Sequence, residues 1–127
     1  MLYRYELEFD GERQEIGFLQ GMCELDLDDE TSDELTRRLD SFLPFPSIPM
    51  KSTRSFFTEE GIKFFHNDIV NIINEYERQG VFDVTVGLLS ETNLKDDDIL
   101  YSDNFQIVVK DYIMEVVQWE KNMNQKS

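Results

Sequence analysis

Two runs of carboxylates are the residues best suited to chemistry in this chain, because clustered Asp and Glu side chains can hold a divalent cation. An EF-hand loop needs oxygen ligands at positions 1, 3 and 5, Gly at position 6 and Glu at position 12. A loop that starts at Asp26 offers Asp28 and Glu30 as further ligands, but position 6 is Thr31 and position 12 is Arg37. Both discriminating positions fail, and we predict no specific calcium site there.

The other candidates for metal binding or catalysis also lack the partners that their chemistry needs. A loop that starts at Asp96 places Leu100 at the fifth position, where an oxygen ligand is required. The single histidine, His66, and the single cysteine, Cys23, cannot complete a tetrahedral zinc site without carboxylates. On a helix, Asp68 would face away from His66 and could not orient its ring as a general base. We therefore predict no catalytic residue, no metal site and no cofactor.

The net charge decides which partners are compatible with the chain. Its 127 residues carry 27 Asp and Glu against 12 Lys and Arg, a formal charge of −15 with histidine neutral. A nucleic-acid binder needs a basic face to displace counterions, and docking on anionic lipid needs positive charge as well. We therefore expect neither direct nucleic-acid binding nor membrane association, but a protein partner with a basic surface.

The negative charge is concentrated in two segments. Residues 24–40 contain eight acids against two arginines, and residues 91–103 contain five acids against one lysine. Such acids often serve only solubility and the stability of helix starts. A concentrated acidic surface can also steer a basic partner over a long range. The candidate binding residues, of which the last three could also hold a divalent cation loosely, are Asp26, Asp28, Asp29, Glu30, Asp33, Glu34, Asp96, Asp97 and Asp98.

A sheet must position these acidic segments, and its first strand is predicted at residues 2–9. Apolar and charged residues alternate there, which is typical of a half-buried strand. Asp10 and Gly11 form a favoured tight-turn pair, because both turn positions tolerate positive φ. Ile16 and Phe18 would belong to the returning strand, so the pattern predicts an N-terminal hairpin.

Two helices are predicted after this hairpin. Thr31 and Glu34 have the chemistry of a helix start, and the Pro-rich stretch 44–49 would end that helix near Leu43. Thr58 begins a longer helix with apolar residues at helical spacing, and Gly80 suits its C-terminal cap. The residues of this longer helix that should face the sheet are Ile62, Phe65, Ile69, Ile73 and Tyr76.

The C-terminal third returns to strand patterns. Alternation predicts a third strand at residues 82–88 and a second hairpin with strands at 99–101 and 105–109. Residues from Asp111 onward fit a helix face, although their β-branched content would also suit a strand. We predict a helix there.

Together these elements predict one α+β domain over residues 1–127, with an antiparallel sheet of two hairpins packed against one long and one or two shorter helices. The lone cysteine excludes an intramolecular disulfide and favours a reducing, cytoplasmic location. The function we favour is a small acidic protein-binding module: an inhibitor, an immunity or antitoxin-like factor, or a nucleic-acid mimic acting on a basic partner. The alternative is a small enzyme or ligand-binding subunit with a carboxylate-rich cleft.

Overall fold

The computed structural model describes residues 1–17, 37, 53–80 and 83–121. An antiparallel sheet of seven strands and two α-helices make up most of this part, which is the predicted α+β class. The helix predicted at residues 31–43 lies outside the described residues except for Arg37, and so do Cys23 and the Pro-rich stretch 44–49.

Among the described residues, three strands precede two consecutive α-helices, and four strands follow them. The described strands are β1 (Leu2–Phe9), β2 (Glu12–Gly17), β3 (Thr53–Phe57), β4 (Asp83–Leu89), β5 (Ile99–Ser102), β6 (Gln106–Lys110) and β7 (Gln118–Lys121). The described α-helices are α1 (Glu59–Phe64) and α2 (His66–Gln79), and short 3-10 segments span Glu91–Asn93, Asp96–Asp98 and Asp111–Val116. The sheet order is β5-β6-β3-β1-β4-β7, and β2 shares with β3 one edge of β1.

β1 is the central strand of this sheet. It forms a hairpin with β2 around Asp10 and Gly11, whose φ values of 52° and 82° are those that a tight type I′ turn requires. Its other edge pairs with β4 from Leu2 opposite Leu89 to Glu8 opposite Asp83. Side chains from β1 therefore reach both faces of the sheet at its centre.

The long helix predicted from Thr58 is divided in two. Thr58 is the N-cap, with its hydroxyl accepting the Gly61 N–H at 3.0 Å, and Gly80 ends α2 in the left-handed conformation. Between them, Phe65 has φ −97° and ψ 14°, which separates α1 from α2. The prediction of one continuous helix is therefore wrong. Neighbouring side chains of a regular helix face different directions, whereas Phe64 and Phe65 both pack on the ring of Phe105.

The helices cover one face of the sheet. There α2 packs against β1, β3 and β4, and Tyr3, Tyr5, Ile62 and Phe105 lie against the resulting core. Of the residues predicted to face the sheet, Phe65, Ile69, Ile73 and Tyr76 are buried in this core and Ile62 is only partly buried, whereas the buried Ile72 was not predicted. The buried cluster consists of Leu7, Phe57, Phe65, Ile69, Ile72, Ile73, Tyr76 and Val84.

A second apolar cluster lies on the opposite face. Neighbouring strand residues point to opposite faces, so Phe56 belongs to this cluster and Phe57 to the first. The segment after β6 contributes to it as a 3-10 turn followed by β7, so the prediction of a helix from Asp111 is wrong beyond that turn. The cluster consists of Leu2, Phe56, Leu89, Val109, Ile113 and Val117.

Gly61 allows α1 to contact the turn between β5 and β6. A Cβ atom on Gly61 would overlap the carbonyl oxygen of Phe105, a backbone atom that also accepts the Thr58 N–H at 3.0 Å. Glycine to alanine in an exposed helix raises stability by about 0.5–1 kcal/mol. We expect Gly61→Ala instead to lower the free energy of unfolding by about 1–3 kcal/mol, because α1 must move away from the turn.

Urea denaturation measures this loss, with Asn74→Ala as the control. Asn74 is exposed on α2, so alanine there should leave stability unchanged or raise it slightly. A gain of stability in Gly61→Ala would show that α1 and the turn are not in contact.

Candidate protein-binding surface

The structure separates the predicted acidic residues by their exposure. Asp96 and Asp97 are exposed, whereas Asp98 is buried. The other six candidates, Asp26, Asp28, Asp29, Glu30, Asp33 and Glu34, lie outside the described residues.

Asp98 joins two acidic turns through its two carboxylate oxygens. Its Oδ2 accepts the backbone N–H of Lys95 at 2.9 Å, which closes the 3-10 turn at Asp96–Asp98. Its Oδ1 accepts the hydroxyl of Tyr112, which belongs to the 3-10 segment Asp111–Val116. The two turns are therefore neighbours in space although 14 residues separate Asp98 from Tyr112.

We name the surface formed by these turns the acidic turn surface; its residues are Asp96, Asp97, Asp111, Tyr112, Glu115 and Val116, all exposed. Tyr112 is 52% exposed and Val116 is 48% exposed. A 3-10 segment has three residues per turn, so Glu115 lies beside Tyr112, and Val116 lies in line with the buried Ile113. The surface thus combines four carboxylates with two exposed apolar groups. Lys95, which is exposed, precedes its first turn, and Lys110, which is half-buried, precedes its second.

Asp103 shows that an acidic residue of the same segment can have a purely local role. Its Oδ1 accepts the backbone N–H groups of Phe105 and Gln106 at 2.8 and 2.9 Å, and its Oδ2 accepts the Tyr101 hydroxyl at 2.8 Å. Burial acts to raise the pKa of Asp103, but these hydrogen bonds outweigh it and hold the pKa below its ordinary value. Asp103 therefore shapes the turn between β5 and β6.

The structure brings no metal-ligating set together in the part of the chain that it describes. Among those residues, no three His, Cys, Asp or Glu side chains lie close enough to hold an ion. His66 is exposed at the first position of α2, and within residues 53–80 and the other described ranges its ring has no hydrogen-bond or ion-pair partner. A general base would need an orienting partner on the ring.

Sequence reasoning missed four members of the acidic turn surface: Asp111, Tyr112, Glu115 and Val116. Residues 104–127 have balanced charge, so a count by segment drew no attention to them. One signal was present in the sequence: Asp111 is followed by Tyr112, and Glu115 is followed by Val116. A short 3-10 turn leaves part of such an alternation of acidic and apolar residues exposed to water.

In the described part of the chain, no helix combines the length and the apolar character that crossing a bilayer requires. Comparison of the chain with protein-family models, with curated proteins and with solved structures finds no match.

Proposed function

We propose that this protein is a non-catalytic, cytoplasmic protein-binding module whose acidic turn surface docks on a basic surface of a partner protein. The observation that carries the proposal is the exposure of Tyr112 and Val116 among four carboxylates. We infer that the protein acts on this basic partner as an inhibitor, an immunity or antitoxin-like factor, or a protein mimic of nucleic acid.

The two apolar groups and the carboxylates have different tasks in such a contact. Aromatic side chains at the centre of an interface supply much of the binding energy, and Tyr112 is held in place by its hydrogen bond to Asp98. The carboxylates of Asp96, Asp97, Asp111 and Glu115 accelerate encounter with a basic surface and accept charge-assisted hydrogen bonds from its Arg and Lys side chains. Apolar anchors and steering charges on one surface favour protein binding over solubility alone.

The proposal includes the second acidic segment of the chain. Residues 24–40 carry a net charge of −6, and its acids Asp26, Asp28, Asp29, Glu30, Asp33 and Glu34 would strengthen the attraction to the same basic partner. The total of −15 makes the whole molecule a strong attractor of positive charge at low ionic strength.

Neutralising the acidic turn surface should weaken partner binding and leave the fold intact. In the quadruple variant Asp96→Asn, Asp97→Asn, Asp111→Asn and Glu115→Gln, we expect affinity to fall at least about tenfold at low salt. Stability should change by less than about 1 kcal/mol, because exposed charges contribute little to folding. The partner is captured from the native host, and its affinity is then measured at low and high salt.

The matched control neutralises four exposed carboxylates elsewhere: Asp10→Asn, Glu12→Gln, Glu77→Gln and Asp83→Asn. Both variants lose four negative charges, so only the loss of the acidic turn surface distinguishes them. If both variants bind the partner with equal affinity, the acids of the acidic turn surface contribute only through the net charge of the protein. A third variant, His66→Gln, should bind normally; loss of a cellular activity with binding retained would favour the enzyme alternative.

A further inference from the structure

Among the described strands, β2, β5 and β7 each have a partner strand on one side only. Such an edge exposes N–H and C=O groups to which another strand can bind, and proteins often block it with a β-bulge. The pairing of β2 shifts register opposite Glu6 and Glu8, and the pairing of β5 shifts register between Ile99 and Tyr101. Both edges are therefore irregular, which disfavours the addition of a strand.

The strand β7 is the one of these three whose pairing is regular. Residues 118–121 pair with residues 85–88 of β4 in antiparallel order and without a shift. In an antiparallel strand every second residue directs its backbone groups away from the partner strand. The outer edge of β7 thus presents N–H and C=O groups at regular spacing, and no proline interrupts them.

The ring of Trp119 leaves this outer edge uncovered, because it folds back over the sheet. Trp119 pairs with Gly87 of β4, and a Cβ atom placed on Gly87 would lie 2.9 Å from Cζ3 of the ring. The ring centroid also lies 4.2 Å from the guanidinium carbon of Arg13, and β4 and β1 lie between β7 and the strand of Arg13. The largest side chain of β7 therefore points inward.

The two neighbours of Trp119 are exposed polar side chains on the other face of the sheet, Gln118 and Glu120. Within the described ranges and the contacts made to them, neither side chain has a hydrogen-bond or ion-pair partner. A glutamine amide can donate to a carboxylate, so these two side chains are complementary to each other.

We propose that β7 is a self-association edge, at which two copies of this chain pair in antiparallel order with Trp119 opposite Trp119. Residues directly opposite each other share a face of the sheet, so a two-fold axis must pass through a residue and not between two. An axis at Glu120 would place two carboxylates directly opposite each other, which is destabilising. An axis at Trp119 instead places Gln118 opposite Glu120 of the second copy, twice in each dimer.

The distribution of charge also favours a contact between two copies at this edge. Each copy carries a formal charge of −15, so two copies repel each other. Residues 104–127, which include β7, contain three acids and three bases, so the copies can meet there with less repulsion. Because β7 has only four residues, the interface is small and we expect a weak dimer that forms at high protein concentration.

Sedimentation equilibrium of the full chain over a wide range of concentration tests the proposal at low and at high NaCl. We expect a monomer–dimer equilibrium whose dissociation constant falls as NaCl rises, because salt screens the repulsion between two equal charges. Docking of the acidic turn surface on a basic partner should have the opposite salt dependence. Hydrogen exchange of the β7 amides should also slow at high protein concentration, because outward N–H groups become paired.

Two substitutions of the exposed Gln118 should change the dimer in opposite directions. Gln118→Glu places a carboxylate opposite Glu120 of the second copy, at two symmetric positions, so the dissociation constant should rise about tenfold. Gln118→Lys places an ammonium group there and should lower the dissociation constant several-fold. The matched controls Asn74→Glu and Asn74→Lys change the charge equally on the exposed side of α2 and should dimerise as the wild type does.

Three outcomes would overturn the proposal. A chain that stays monomeric at every concentration and salt excludes self-association; if Gln118→Glu then impairs capture of a host protein, β7 binds a strand of that protein instead. Equal dissociation constants for Gln118→Glu and Gln118→Lys would place the dimer interface elsewhere. A dimer that weakens as NaCl rises would show that opposite charges, and not the backbone edge of β7, hold the copies together.

Discussion

Glu6→Gln is expected to lower the free energy of unfolding by about 3–5 kcal/mol, the range for removing one partner of a buried ion pair. The Glu6 side chain is fully buried and accepts from both Arg4 and Arg13. Glutamine preserves its shape but removes the charge, and its NH2 group cannot accept a hydrogen bond. Arg4 would then remain buried without a counter-charge. Burial lowers the pKa of Arg4, and Glu6 is the group that opposes this change. Urea denaturation near pH 7 measures the loss.

Glu75→Gln is the matched control, because Glu75 also bonds an arginine at 2.5 Å. Its partner Arg78 lies three residues further along α2, and the Arg78 side chain is 59% exposed. When this pair is broken, Arg78 is solvated by water, so the cost should be about 1 kcal/mol or less. Equal losses in the two variants would show that the guanidinium groups around Glu6 reach water as readily as Arg78 does.

A comparison of β1 with its sequence pattern shows how far that pattern determines the structure. Alternation correctly predicted a strand at residues 2–9, because the period of two depends only on backbone geometry. Its charged face looked solvent-exposed, yet Glu6 on that face is completely buried. The burial depends on β2 and β3, which bring Arg13 and Arg54 to the same face from 7 and 48 residues beyond Glu6. The β1–β2 hairpin has a local signal in its turn residues, but the pairing of β3 with β1 is long-range and leaves none.

The candidate binding surface depends on tertiary structure in the same way. Asp96 and Asp97, which the sequence offers as candidate binding residues, are exposed. The sequence could not show that Asp98 turns inward to Tyr112, since a run of three aspartates offers no difference between them. That hydrogen bond joins the two turns, and only the folded chain reveals the surface that they form together.

Phe65→Ala is expected to lower the free energy of unfolding by about 3–5 kcal/mol, because it leaves a large cavity in the core. Phe65 is fully buried at the junction of α1 and α2, and its ring contacts those of Phe57 at 6.1 Å and Phe105 at 5.4 Å between centroids. These contacts join both helices to β3 and to the turn before β6. Urea denaturation, with the slope of the transition compared with that of the wild type, measures the change.

Phe64→Ala is the matched control, since the same substitution one residue earlier tests the break between the helices. Phe64 is 50% exposed and stacks on the outer side of the same Phe105 ring, with 4.8 Å between centroids. In one continuous helix both side chains would not reach that ring, and the order of their burial could be reversed. Because the break at Phe65 turns only the second ring into the core, the loss in Phe64→Ala should be at most about half that in Phe65→Ala. A larger loss at Phe64 would mean that the helix runs unbroken and presents a different face to the sheet.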